Sequence, residues 1–172
     1  MDLTAIPLNR EAFHPFGDVI EKGLGESYLI NNDKCRRHHA LSKVDHVGDD
    51  SHVLINIFSG EPYDLPLELK MVERHPFGSQ AFYPLGPQPY LVIVSHDENG
   101  VPGPPSCFLA HHNQGINLKR NVWHGVLTPL FEPADFLVVD RGGSGNNLEE
   151  HFFTKPYRVS VPNEILAASA FS

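Results

Sequence analysis

The chain has 172 residues, a length at which one domain buries a substantial core, so a single globular unit is expected. Its 21 acidic residues outnumber 13 basic ones for a formal net charge of −8, which opposes a phosphate-neutralising surface, so no nucleic-acid partner is expected. The longest aliphatic run, Leu91 to Val94, is far short of the roughly 20 apolar residues a spanning helix needs, no export signal is visible, and Cys35 and Cys107 are too few for a disulfide framework, all of which point to a cytoplasmic protein with no membrane partner.

Fifteen prolines and fourteen glycines cut the chain into short segments filled with β-branched and aromatic residues, the pattern of an all-β sandwich or barrel. Asn9 is placed to cap a one-turn helix ending at Phe13. Strands are expected at 27–31, 53–58, 68–75, 80–83 and 90–94. The proline- and glycine-rich stretch 97–105 reads as an exposed turn, and further strands follow at 106–109, 122–127 and 136–139. A second exposed turn at 142–147 precedes short strands at 150–153 and 157–161 and a second helix at 163–170. Unpaired edges are a liability in small β-barrels, and pairing across two copies would remove it, so a homodimer is expected.

The most informative stretch runs from Leu67 to His75. Strict alternation puts Leu67, Leu69, Met71, Glu73 and His75 on one face, so an apolar face ends in two ionisable groups. Such groups are costly near a core unless paired, solvated or metal-bound. Gln80 and Phe82 share one face of the returning strand. Farther on, His124 shares a face with Val122 and Val126, opposite Trp123. Glu73-Arg74-His75 and Trp123-His124-Gly125 are therefore expected to meet at the mouth of one barrel, with Glu73, His75 and His124 as catalytic groups and Gln80 and Trp123 against the substrate.

His75, His124, Gln80 and Glu73 would suit a metal such as Ni, Fe, Mn or Zn, and equally a metal-free acid/base set. Arg36, Arg37 and Arg74 are the candidates to hold a substrate carboxylate through a bidentate guanidinium fork, although alternation turns Arg74 away from Glu73 and His75. The Gly-rich run after Asp140 lacks the phosphate-loop pattern and reads as a turn.

The chain resembles the ureidoglycolate lyase family, formerly called ureidoglycolate hydrolase. The likeness rests on the runs Phe16-Gly17-Asp18-Val19-Ile20, Cys35-Arg36-Arg37-His38, Lys70-Met71-Val72-Glu73-Arg74-His75-Pro76, Gly78-Ser79-Gln80-Ala81-Phe82, Val122-Trp123-His124-Gly125-Val126-Leu127 and Phe136-Leu137-Val138-Val139-Asp140-Arg141. The resemblance implies a cupin-type β-barrel (jelly roll) with one or two short helices, spanning residues 1–160 as one catalytic domain, and leaves 161–172 as a tail without an assigned role. It implies cleavage of ureidoglycolate to glyoxylate and urea in purine and allantoin nitrogen catabolism, with nickel as the suspected divalent cofactor alongside a metal-independent mechanism. His75 or Glu73 would then take the hydroxyl proton and His124 would serve the departing nitrogen. An ammonia-releasing amidohydrolase and a non-catalytic cupin that binds a small carboxylate are the other readings.

Overall fold

The computed structural model describes residues 1–169. In chain order it contains β1 (Asp2–Thr4), β2 (Ile6–Pro7), helix α1 (Arg10–Phe13), β3 (Gly17–Ile20), β4 (Ser27–Ile30), β5 (Cys35–His38) and β6 (His52–Gly60). These are followed by β7 (Leu67–Arg74), β8 (Gln80–Pro84), β9 (Tyr90–Ser95), β10 (Asp97–Glu98), β11 (Val101–Pro102) and β12 (Ser106–Ala110). The last third carries β13 (Gly115–Leu118), β14 (Trp123–His124), β15 (Thr128–Pro129), β16 (Ala134–Gly142), β17 (Glu149–Ser160) and helix α2 (Asn163–Ser169).

Two sheets form the barrel. The larger runs β1-β17-β7-β14-β9-β12-β2, with β15 also on β9, and the smaller runs β3-β13-β8-β16-β6. Only buried Ala5 separates β1 from β2, so the N-terminal segment joins both edges of the larger sheet, beside β17 and beside β12. The result is the expected all-β, cupin-type architecture with two short helices. Asn9 caps α1 as its residue type predicts, Oδ1 accepting from the Ala12 amide at 2.9 Å.

The larger sheet has a core on each face. One, between the sheets, includes Phe13, Phe82, Val92, Val94, Phe108 and Phe136. The other gathers Leu69, Val72, Leu91, Ile93, Trp123 and Val159, with Ile165 and Leu166 of α2 packed against it. Every residue of β9 is buried, which explains its uninterrupted Tyr-Leu-Val-Ile-Val run. Phe136 is fully buried, and its truncation to alanine would cost about 3–5 kcal/mol through lost transfer energy and the cavity left behind.

Three local expectations change. Leu69 and Val72, three positions apart, belong to the same core, so alternation along β7 is interrupted and Leu67 and Leu69 do not share the face of Glu73. The interruption coincides with a shift in the facing strand, where Phe152 pairs Met71 but Tyr157 pairs Leu69. The strand expected at 122–127 is only Trp123–His124, followed by one further bond to β9 from the Gly125 amide to the Ile93 carbonyl. The expected turn at 97–105 holds the β10–β11 hairpin and partly buries, with Gly103 and Pro105 inside. Strands β3 and β13 carry no strong periodic signal. Gly17 is required there, since a Cβ would run into the Asn117 backbone across the pair. The second helix is present, and position 170 of its expected range lies outside the described residues.

Candidate active site

Pairing of β14 with β7 sets His124 directly opposite Glu73, and partners across an antiparallel ladder point to one face. That face is the one between the sheets, since His124 also pairs Val94 of the inter-sheet core. His75, two residues beyond Glu73, joins them: its Nε2 lies 3.9 Å from Glu73 Oε1, and its ring centroid lies 5.2 Å from that of His124. Ligand atoms of Glu73, His75 and His124 all fall within 4.8 Å of one another.

The orientation of both imidazoles is fixed from behind. His75 Nδ1 contacts the Asn147 carbonyl at 2.7 Å, and His124 Nδ1 contacts the Gly125 carbonyl at 2.9 Å. A carbonyl oxygen only accepts, so each Nδ1 carries a hydrogen, and in the neutral form of each ring Nε2 keeps its lone pair. Both Nε2 atoms are buried and have no hydrogen-bond partner among the described residues. Two bare nitrogen lone pairs beside a carboxylate fit a divalent cation, and they fit equally the donors of a small polar ligand.

Burial sets the electrostatics. It pulls the His124 pKa down to about 4, with His75 adding to the effect and the Gly125 contact opposing it. It raises the Glu73 carboxyl, against the pull of His75 and with help from Glu150.

The smaller sheet supplies the facing wall. Gln80 is buried on the same side of β8 as Phe82, as expected, and its Oε1 has no partner. Its side chain lies toward Asp140 of β16, whose carboxylate accepts from Asn56 Nδ2 at 3.0 Å. Burial raises the Asp140 carboxyl while Gln80, Asn56 and His75 counter it. His75, Gln80, Asp140, Arg141 and Asn147 line one cleft of about 250 Å³.

The remaining candidates lie elsewhere. Arg74 and Trp123 are on the opposite face of the larger sheet: the guanidinium sits 4.3 Å from the indole centroid and pairs Asp97 at 2.7 Å and Glu149 at 2.5 Å. Trp123 is buried and its Nε1 donates to the same Asp97 at 2.8 Å. Arg36 and Arg37 sit on the exposed two-stranded β4–β5 hairpin, Arg37 about 6.0 Å from the Tyr28 ring. Arg141 donates to the carbonyls of Val47, Gly143 and Ser144, which ties down the loop leading to Asn147.

Asp140 and Asn147 escaped sequence reasoning. Asp140 had a readable signal, because Phe136, Val138 and Asp140 alternate along one face just as Met71 and Glu73 do. Asn147 contributes a main-chain oxygen from a loop, and no residue pattern announces that.

Fold and site together define a cupin-type barrel with a two-histidine, one-carboxylate centre. Residues 1–160 match the ureidoglycolate lyase family. A ureidoglycolate lyase of Chelativorans sp. (strain BNC1) is 57% identical over 160 residues, covering 93% of this chain and 97% of its own. One from Mesorhizobium japonicum is 56% identical over 160 residues, covering 93% and 98%, and ureidoglycolate lyase 2 of Rhizobium meliloti is 56% identical over 153 residues, covering 89% and 94%. The chain belongs to the ureidoglycolate lyase family.

Proposed function

We propose that the protein is a carbon–nitrogen lyase that cleaves ureidoglycolate to glyoxylate and urea in purine and allantoin nitrogen catabolism, with residues 1–160 as the catalytic domain. The observation that carries the reading is the pair of unpartnered Nε2 lone pairs of His75 and His124 beside Glu73. The reaction is an internal proton relocation: the hydroxyl proton leaves, the carbonyl forms, the C–N bond breaks and the urea nitrogen gains a proton. It calls for proton acceptors and donors and for no protein nucleophile.

His75 takes the hydroxyl proton at Nε2. Glu73, 3.9 Å away, relays a proton toward the departing nitrogen. His124, held with its lone pair inward, accepts from the N–H of the departing ureido nitrogen. Glu73, His75 and His124 would also hold a divalent ion, nickel being the one favoured, which when bound supplies polarisation of the substrate oxygens. Gln80 stands on the facing sheet with its side chain toward Asp140, and we assign it to the substrate and not to the ion. For the substrate carboxylate we retain Arg36 and Arg37, which have no ion pair among the described residues; Arg74 is already engaged by Asp97 and Glu149.

We further infer a homodimer. β6 is a nine-residue edge strand with Val53, Ile55 and Ile57 exposed, an unpaired and apolar rim of the kind a second copy covers. The cytoplasm suits two cysteines that are both free. No helix of the described residues is long and apolar enough to cross a membrane.

The deciding experiment is product analysis of the purified protein with ureidoglycolate. Urea and glyoxylate in equal amounts, without ammonia, are expected. Ammonia in place of urea would move the protein to the amidohydrolase reading, and binding without turnover to the non-catalytic one.

A further inference from the structure

The wall opposite the histidines carries two acceptors, Gln80 and Asp140, beside an Arg141 whose guanidinium is taken up by the carbonyls of Val47, Gly143 and Ser144. Gln80 is 8% exposed, its side chain lies toward Asp140, and its Oε1 is buried without a hydrogen-bond partner among the described residues. Asp140 receives a hydrogen bond from Asn56, which leaves unused lone pairs on a carboxylate that offers about four positions. A buried amide oxygen left unpaired is costly, so its presence beside an incompletely used carboxylate marks a place built to receive N–H groups. Both groups line the cleft that His75 borders.

We propose that Gln80 Oε1 and the Asp140 carboxylate form the subsite for the ureido end of the substrate and make the protein selective for a terminal –NH2. This rests on the lyase reading and deepens it. The terminal amine offers two hydrogens, one for each acceptor. The negative charge of Asp140 keeps the substrate's own carboxylate out of this end of the cleft, which fixes the direction of binding and leaves the carbinol carbon toward His75. Asn56, on the edge strand, acts as a positioning residue: its amide holds Asp140 and touches no substrate atom.

The test compares two unreactive analogues that lack the carbinol hydroxyl and differ only at the terminal group. Ureidoacetate ends in –NH2, N-acetylglycine in –CH3. Calorimetry on the purified wild type should show ureidoacetate binding at least about tenfold more tightly, since an analogue that leaves polar acceptors unpaired is rejected strongly. Asp140→Ala should narrow the ratio to a few-fold, with Gln80 Oε1 still accepting one hydrogen, and Asn56→Ala should narrow it less. A ratio near one in the wild type, a ratio that survives in Asp140→Ala, or failure of the wild type to bind either analogue overturns the subsite. The wild-type ratio alone keeps the idea falsifiable if the variants do not fold. Urea production from ureidoglycolate is scored separately: a wild type that makes urea but shows no preference loses only the subsite, and one that keeps the preference without making urea loses only the lyase reading.

Discussion

The imidazoles of His75 and His124 stand 5.2 Å apart, centroid to centroid, with Nδ1 of each directed at a backbone carbonyl and Nε2 of each buried without a partner. The two rings reach this arrangement from β14 and from the residue just past β7, and the carbonyls that fix them belong to a loop and to the residue after His124. Several measurable consequences come from this support.

His124 is neutral when folded, with a pKa pulled from 6.5 to about 4. Between those values the unfolded chain binds more protons than the folded one, so this group's contribution is complete above pH 6.5 and is lost as the pH falls toward 4. Denaturant melts of chelator-treated protein should therefore lose stability across that window, at up to about 1.4 kcal/mol per pH unit. His124→Gln should flatten the slope. An unchanged slope in the variant would assign the acid sensitivity to other groups.

Asn147 supports His75 twice, because its carbonyl accepts from the ring while its Oδ1 accepts from the Phe77 amide at 2.7 Å. Asn147→Leu removes the second contact and releases the first, and kcat should fall about 10–100-fold, as for other losses of a group that orients a functional histidine. Asn147→Asp keeps an acceptor for Phe77 and should recover most of the rate. Failure of that rescue would separate the loop from the positioning of His75.

Arg74, Trp123, Asp97 and Glu149 clamp β7, β14, the β10–β11 hairpin and β17 together on the face away from the cleft. The acidic partners are partly exposed, so solvent screening holds the ion pairs to a modest value. Arg74→Met should cost about 1–2 kcal/mol overall, counting the lost stacking on the indole, and lower Tm by a few degrees. KM should stay within about threefold of wild type. A large rise in KM with an unchanged Tm would return Arg74 to the substrate.

Arg36 and Arg37 extend from an exposed hairpin, so removing both should leave Tm within about a degree, as expected for surface positions. If they capture the substrate carboxylate, the double alanine variant should raise KM by about tenfold or more, the size expected for losing a charged hydrogen-bonded contact. Unchanged KM would remove both from binding.

Much of the fold is legible in the residues because it follows from local rules. Proline and glycine punctuation, the continuous apolar run of β9, the Asn9 cap and the alternation of Glu73 with His75 each have a cause within a few residues of chain. The same rules stop at Leu69, where the shift in the facing strand β17 reverses the side to which the leucines point. That shift depends on a partner about eighty residues away, and no local pattern contains it.

The site divides along the same line. The sequence by itself determined that one strand ends in a carboxylate and an imidazole on one face, that His124 and Trp123 point to opposite faces, and that Gln80 shares the face of Phe82, because side-chain direction in a strand is a matter of parity. The tertiary structure decided the rest. It placed His124 across from Glu73, turned Trp123 and Arg74 into an external clamp, brought Asp140 and Asn56 to the facing wall, and set the Asn147 carbonyl behind His75. Strand pairing and main-chain oxygens carry no residue code of their own, so these relationships exist only once the two sheets have closed on each other.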